Sequence, residues 1–200
     1  GKPQTRSSRL VEFLVDKARL PSSGRLLDVG CGNGALLRAV SAGMPQWRLA
    51  GLELSEKYRE VVLQIPGVES FFASSLTEVS GQFDVVALIH ALEHIGEPID
   101  FIRTAIVPRL TDHGALLIEV PDAAANPFDL LVADHATHFD LETLVAGVAA
   151  AGLEVIEVTN NWVAKELTLI ARRGPGRTSP GRSHPQPSAA VAGVELLREI

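Results

Sequence analysis

The chain has 200 residues, of which 46% are hydrophobic and 5% aromatic, and its formal net charge at pH 7 is −6. This composition supports one large apolar core, and the negative charge argues against a nucleic-acid partner bound through a broad basic face. The single cysteine, Cys31, excludes a disulfide within the chain and a zinc site made of cysteines. The sequence has no run of 18 apolar residues and no signal-peptide pattern, so we expect a cytoplasmic protein with no membrane partner.

Apolar spacing and turn residues predict helices and strands that alternate along the chain. The predicted helices cover 8–20, 33–42, 55–64, 98–110 and 140–151, and the predicted strands cover 25–29, 47–53, 68–73, 83–89, 114–120, 153–159 and 165–172. This alternation predicts an α/β fold with a doubly wound, mostly parallel seven-stranded sheet and helices on both faces.

The composition changes after the last predicted strand. Residues 174–190 are rich in glycine, proline and serine, which predicts a flexible linker. Residues 191–200 have the pattern of an amphipathic helix, which we expect either to dock on the domain or to begin a further one. The folded domain is therefore predicted over residues 1–173.

The most informative segment is LLDVGCGNG at 26–34, where a predicted strand ends and a predicted helix begins. The loop between them alternates glycine with other residues, at Gly30, Gly32 and Gly34. Glycine adopts positive φ and lets a ligand approach the backbone closely, and the next helix presents free N–H groups. Cys31 is interpreted as a small residue that fills this turn rather than as a nucleophile.

Asp28, two residues before the first glycine, indicates which ligand this loop binds. The glycine spacing also satisfies the dinucleotide fingerprint, but a carboxylate here would repel a pyrophosphate and attract a cation. The DxGxGxG pattern resembles the first motif of class I S-adenosylmethionine-dependent methyltransferases. The resemblance implies that Asp28 and the glycine loop bind the methionine end of this cofactor. It also implies that the last strand is inserted antiparallel beside its neighbours.

A second acid, Glu53, lies 23 positions after Gly30, at the end of the predicted strand 47–53. An acid near this spacing accepts hydrogen bonds from ribose hydroxyls and rejects a 2′-phosphate. The stretch LAGLELSEKY is similar to the second conserved block of the same methyltransferases. The resemblance implies that Glu53 binds the ribose and that Leu54 packs near the adenine. A surface glutamate at a strand end remains the alternative.

The loop after the third predicted strand departs from the family pattern. The methyltransferases often have an aspartate there, which binds the adenine amino group, whereas this chain has Ser74 and Ser75. We therefore expect a backbone amide and the Ser75 hydroxyl to make that contact.

The segment IHALEHI at 89–95 allows two interpretations. The spacing of His90, Glu93 and His94 matches the H-x-x-E-H motif of inverted zinc peptidases, which needs a long helix and a third ligand. The segment is also similar to the LEH motif of small-molecule methyltransferases, and Gly96 interrupts any long helix. That resemblance implies that the backbone of Ile89 and His90 lines the methionine end. His94 then either packs structurally or faces the acceptor.

The segment 121–139 is longer than an ordinary connection and predicts a lid or a substrate wall. Its DHATHF stretch provides His135 as the candidate base and His138 as a weaker one, because histidine titrates near neutral pH. The alternative is that His135 only orders the lid. An Asp-His-x-x-His metal cluster lacks a clear third ligand in the sequence, so no metal is predicted.

The resemblance covers residues 8–172 and implies in-line methyl transfer from S-adenosylmethionine to an oxygen, carbon or nitrogen of a small molecule. The product would be S-adenosylhomocysteine. Two alternatives remain, namely a catalytically silent methyltransferase-like binding module and an NAD(P)-dependent oxidoreductase. The oligomeric state is not predicted.

Overall fold

The computed structural model describes residues 5–73 and 75–174, which form a seven-stranded sheet flanked by helices. The strands are β1 Arg25–Val29, β2 Arg48–Leu52, β3 Val68–Phe72, β4 Phe83–Ile89, β5 Leu110–Pro121, β6 Leu153–Thr159 and β7 Glu166–Arg173. Their order is β3-β2-β1-β4-β5-β7-β6. The first five strands pair in parallel, and β7 lies antiparallel between β5 and β6. The predicted sheet and its antiparallel strand are confirmed.

The helices are α1 Arg6–Ala18, α2 Ala35–Gly43, α3 Arg59–Leu63, α4 Pro98–Phe101 and α5 Leu141–Ala150. Two of the predicted helices are not continuous α-helices. The first, 55–64, is divided into a 3-10 turn, Glu56–Tyr58, and the short α3. The second, 98–110, continues from α4 as a π-helical turn and ends in a 3-10 turn, Val107–Arg109, because Pro108 has no N–H for a helical hydrogen bond.

The inner strands β1, β4 and β5 bury both faces over most of their length, which explains their nearly continuous apolar sequences, whereas the edge strands β3 and β6 are largely half-buried or exposed. Alternate residues of β1 and β4, such as Leu26 and Val85, pack with α1, α2 and α3 in one apolar cluster. The intervening residues, such as Leu27 and Val86, pack with α4 and α5 in the other. The predicted placement of helices on both faces is therefore confirmed.

The order of the strands reverses at β1, whose neighbours are β2 and β4. Ligands of open α/β sheets bind at such a switch point, outside the carboxyl ends of the strands. The glycine loop follows β1 there.

No helix of the described ranges, 5–73 and 75–174, combines the length and the apolar character that a membrane span requires. The predicted helix 191–200 and all but the first residue of the predicted linker 174–190 lie outside the described residues.

Candidate cofactor and acceptor site

The glycine loop after β1 is held against the end of β2. The N–H groups of Gly30 and Cys31 both donate to the Leu52 carbonyl, at 2.8 and 3.0 Å. All three loop glycines have positive φ. A Cβ at Gly30 would lie 3.1 Å from that of Ala91, whereas a Cβ at Gly32 would enter open space. The loop therefore leaves its backbone accessible to a ligand.

The Glu53 carboxylate completes this loop. One oxygen accepts the Gly32 N–H at 2.8 Å, and the other accepts the Leu54 N–H at 2.8 Å. A carboxylate oxygen has two lone pairs, so each oxygen keeps a free acceptor position. Glu53 lies on the wall of a cavity. The carboxylate can thus bind a pair of hydroxyl groups while the backbone holds it in place.

Asp28 lies behind the loop. Its side chain is 2% exposed, and it does not line the cavity. Burial, and secondarily the charge of Glu53, raise the pKa of Asp28 to about 7. Near neutral pH this group is therefore partly protonated, and of the two acids Asp28 and Glu53 only Glu53 lies on the cavity wall.

The cavity has a volume of about 410 Å³ and opens at the carboxyl edge of β1, β2 and β4. Five of the predicted site residues line it: Gly30, Glu53, Leu54, His90 and His94. The other predicted residues are absent from its wall: Asp28, Cys31, Gly32, Gly34, Ser75, Ile89, His135 and His138. Sequence reasoning missed several wall residues: Val29, Leu52, Ser55, Leu76, Leu88, Ala91, Ile95, Phe101 and Asp134. Most of their apolar members belong to strands or helical turns, where they look like ordinary core residues.

Cys31 and Ser75 are both engaged within the protein. The Cys31 thiol is buried against Gly51, where an added Cβ would lie 2.8 Å from the sulfur. Burial raises the pKa of the Cys31 thiol, which therefore stays protonated at neutral pH. Ser75 begins the 3-10 turn Leu76–Glu78, and its hydroxyl hydrogen-bonds that of Thr77.

The end of β4 is strained. His90 has a φ of 51°, which is uncommon for a residue other than glycine and occurs often at functional sites. Its N–H donates to the Glu119 carbonyl at 2.9 Å, and its Nδ1 lies 2.9 Å from Oε1 of Glu93. The following turn, Leu92–His94, is a single 3-10 turn. It lacks the long helix that the zinc-peptidase interpretation requires.

A charged network joins α1 to this edge of the sheet. Arg6 donates to Glu119 at 2.6 Å and lies 3.5 Å from Glu166. The Nε2 of His90 lies 3.4 Å from the other oxygen of Glu166. Burial raises the pKa of Glu119, while Arg6 acts in the opposite direction. α1 is therefore linked, through Glu119 and Glu166, to His90, which lines the cavity.

The lid brings two of the predicted histidines to one carboxylate. Asp129 is 2% exposed, and its two oxygens lie 2.7 Å from Nδ1 of His135 and 2.7 Å from Nδ1 of His138. The ring of His94 meets that of His135 edge-on, with centroids 4.9 Å apart. Nδ1 of His94 lies 2.9 Å from the carbonyl oxygen of Asp134. Sequence reasoning missed Asp129, because a contact across an irregular loop has no periodic signal.

A family model described as a methyltransferase domain matches residues 3–158. The chain therefore belongs to that family of methyltransferase domains, as the glycine-loop motif predicted.

Curated relatives match part of the chain. The ubiquinone biosynthesis O-methyltransferase of Caulobacter sp. (strain K31) is 32% identical over 125 residues, which are 56% of this chain and 47% of that protein. The protein of the same name from Bordetella bronchiseptica is 33% identical over 100 residues, which are 46% of this chain and 40% of that protein. The chain thus spans less than half the length of these relatives.

Solved structures share the fold. An S-adenosylmethionine-dependent methyltransferase from Clostridium acetobutylicum aligns with a TM-score of 0.66 at 11% identity, over 84% of this chain and 90% of that one. CalO1, a methyltransferase in calicheamicin biosynthesis in its SAH-bound form, aligns with a TM-score of 0.66 at 22% identity, over 84% of this chain and 54% of that one. The methyltransferase fold is confirmed.

Proposed function

We propose that this chain binds S-adenosylmethionine and transfers its methyl group to an oxygen, carbon or nitrogen of a small-molecule acceptor. The observation that carries the proposal is the Glu53 carboxylate, held by two backbone N–H groups on the wall of a cavity at the switch point of the sheet. The family and the names of the relatives support the same activity.

The residues at this edge fit such a cofactor. Glu53 would accept the ribose hydroxyls, and Leu54 with Ser75 would lie toward the adenine. The glycine loop, with Asp28 behind it, and the backbone of Ile89 and His90 would surround the methionine part. When bound, S-adenosylmethionine would supply a methyl group on a positively charged sulfur, and the acceptor would attack that methyl carbon in line while the sulfur leaves as the neutral thioether of S-adenosylhomocysteine. The protein then contributes chiefly position, which is worth about 7–11 kcal/mol at best.

His135 is the proposed base for an acceptor that must lose a proton. An ionised Asp129 can accept hydrogen bonds but cannot donate them. Nδ1 of His135 therefore carries the hydrogen, and Nε2 of the neutral ring has a free lone pair. This pairing orients the ring and stabilises the imidazolium that forms when Nε2 takes the proton. His138 is held by the same carboxylate, and His94 touches the ring of His135 on the cavity side.

The test incubates the full chain with S-adenosylmethionine and a panel of phenols, catechols, amines and acidic carbon compounds, and measures S-adenosylhomocysteine. We expect turnover on at least one hydroxyl acceptor. A His135→Gln variant should turn that acceptor over about 10²–10⁴-fold more slowly and still bind S-adenosylhomocysteine. The exposed His113→Gln variant is the matched control. Binding without turnover on any acceptor would favour the silent module instead.

A further inference from the structure

Three side chains with metal-binding atoms meet beside the cavity. Glu93, His94 and His135 each offer one such atom, and these atoms lie within 4.8 Å of one another. Glu93 is 1% exposed, and its Oε2 has no hydrogen-bond partner. A buried polar oxygen without a partner is costly and therefore needs a physical reason.

In each of the three side chains, one polar atom already contacts another group. Oε1 of Glu93 lies at Nδ1 of His90, 2.9 Å away. Nδ1 of His94 is within hydrogen-bond distance of the carbonyl oxygen of Asp134, at 2.9 Å, and Nδ1 of His135 is within hydrogen-bond distance of Oδ1 of Asp129, at 2.7 Å.

These partners decide which nitrogen of each imidazole is free. A carbonyl and a carboxylate accept hydrogen bonds, so both Nδ1 atoms carry the hydrogen and both Nε2 atoms have lone pairs. Histidines that bind metals almost always donate their other N–H to a carboxylate or a backbone carbonyl in this way. The pair His94 and His135 is therefore preorganised as two neutral nitrogen ligands.

The charge of the cluster also favours a cation. Among the described residues, the ion pairs of Glu93, Asp129 and Asp134 are made with histidines rather than with lysine or arginine. While those histidines are neutral, three carboxylates in this region have no cationic partner. A divalent ion would offset that charge.

The second set of possible ligands, Asp129, His135 and His138, is less suited to a metal. Both oxygens of Asp129 are engaged, one with each imidazole, so this carboxylate bridges the two rings. Asp129 is better placed to orient His135 than to bind an ion itself.

We propose that Glu93, His94 and His135 bind one first-row divalent cation of the Mn²⁺, Co²⁺ or Zn²⁺ type. Two imidazoles and one carboxylate suit these ions, and no thiolate is needed. Binding would draw the three ligand atoms to about 2.0–2.2 Å from the ion. The sequence predicted no metal because a third ligand was missing, and the fold supplies it by bringing Glu93 to the lid.

The position of the ion gives it a chemical role. His94 lines the cavity, so the open coordination positions would lie toward the acceptor. A cation there lowers the pKa of an oxygen bound to it, which suits a hydroxyl acceptor. The ion and the base proposed above use the same Nε2 of His135. When the ion is bound, His135 would no longer act as the base, and the proton of the coordinated hydroxyl, whose pKa the ion lowers, would be released to water.

The test titrates Co²⁺ into the full chain after treatment with a chelator, without cofactor or acceptor, and records the visible d–d absorption. We expect one Co²⁺ per chain, with the absorption lost in Glu93→Gln, His94→Gln and His135→Gln. The Asp129→Asn variant should bind about 10–100-fold more weakly. The exposed His113→Gln variant should bind as the wild type does.

Melting curves in chelator show whether each variant is folded, and only folded variants are scored. The absence of Co²⁺ binding, or binding that the isosteric Glu93→Gln variant retains, would overturn the proposal. Since no cofactor is present, the result is separate from that of the methyl-transfer assay. A cation could bind here even if no methyl group is transferred.

Discussion

Glu53 is the residue on which cofactor binding depends most directly. Its carboxylate accepts hydrogen bonds from Gly32 and Leu54 and faces the cavity. In a Glu53→Gln variant one of these N–H groups would face an NH₂ group, and a ribose hydroxyl would lose a charged acceptor. We expect affinity for S-adenosylhomocysteine to fall about 10–100-fold, since hydrogen bonds to charged groups are worth roughly 1.5–3 kcal/mol.

Titration calorimetry measures this change. Glu154→Gln, an exposed glutamate on β6, is the matched control and should bind normally. An unchanged affinity in Glu53→Gln would remove Glu53 from the site.

Asp28 makes the stability of the fold depend on pH. Its pKa is about 7 in the folded chain and near 3.8 when unfolded, so between these values the folded state binds the extra proton. The contribution of Asp28 to the free energy of unfolding is therefore largest below about pH 4. It decreases as the pH rises toward 7, because the unfolded state releases the proton that the folded state still holds. The loss is on the order of 2–4 kcal/mol.

Urea unfolding at several pH values checks this dependence. The Asp28→Asn variant should lack the decrease between pH 4 and pH 7, whereas the variant of an exposed aspartate, Asp16→Asn, should retain it. Identical pH profiles for wild type and Asp28→Asn would show that Asp28 does not titrate in this range.

Among the elements, the predicted bounds of the strands agree better with the observed bounds than those of the helices do. β1, β4 and β6 have the predicted bounds: β1 and β4 are short apolar runs between turn residues, and β6 mixes apolar and polar residues between Gly152 and Asn160. The predicted strand 165–172 begins one residue too early, since Lys165 has a φ of 66°. The helix after β4 is irregular around Pro108, which periodicity alone does not show.

The residue before α2, Gly34, has a backbone conformation and a close neighbour that favour glycine at this position. The predicted start at Asn33 is wrong, because Gly34 caps the helix with a φ of 78°. A Cβ there would also lie 2.7 Å from Cδ1 of Ile65. We expect Gly34→Ala to lower the free energy of unfolding by roughly 1–3 kcal/mol.

Thermal and urea unfolding measure this loss. Gly96→Ala is the control, because a Cβ at Gly96 would meet nothing within 4 Å. Equal stability of the two variants would mean that neither strain nor crowding at Gly34 matters.

At the scale of the whole molecule, an ion pair between Arg6 and Glu119 links α1 to β5, and it was not predicted from the sequence. Glu119 is fully buried and depends on Arg6. We expect Arg6→Gln to lower the free energy of unfolding by roughly 1–3 kcal/mol, because the buried carboxylate loses a charged donor. Arg103→Gln, which breaks an exposed pair with Asp100, should change it little.

Denaturant unfolding compares the two arginine variants. If Arg6→Gln were as stable as Arg103→Gln, the contact between α1 and β5 would contribute nothing to the fold.

The candidate site was predictable where it is local in sequence and unpredictable where the fold assembles it. Glu53 and the glycine loop follow directly from neighbouring residues. The cluster of Glu93, His94 and His135 depends on the lid folding back over the end of β4, where the Thr137 N–H donates to the Glu93 carbonyl at 3.0 Å. No spacing in the sequence encodes that approach.

A crystal structure of the chain soaked with S-adenosylhomocysteine would show whether the cavity at the carboxyl edge of the sheet binds the cofactor through Glu53. We expect electron density in the cavity, with both ribose hydroxyls on the Glu53 carboxylate and the amino-acid part beside the glycine loop. An empty cavity at saturating ligand, or a dinucleotide phosphate bound by the same loop when NAD is soaked instead, would contradict this expectation.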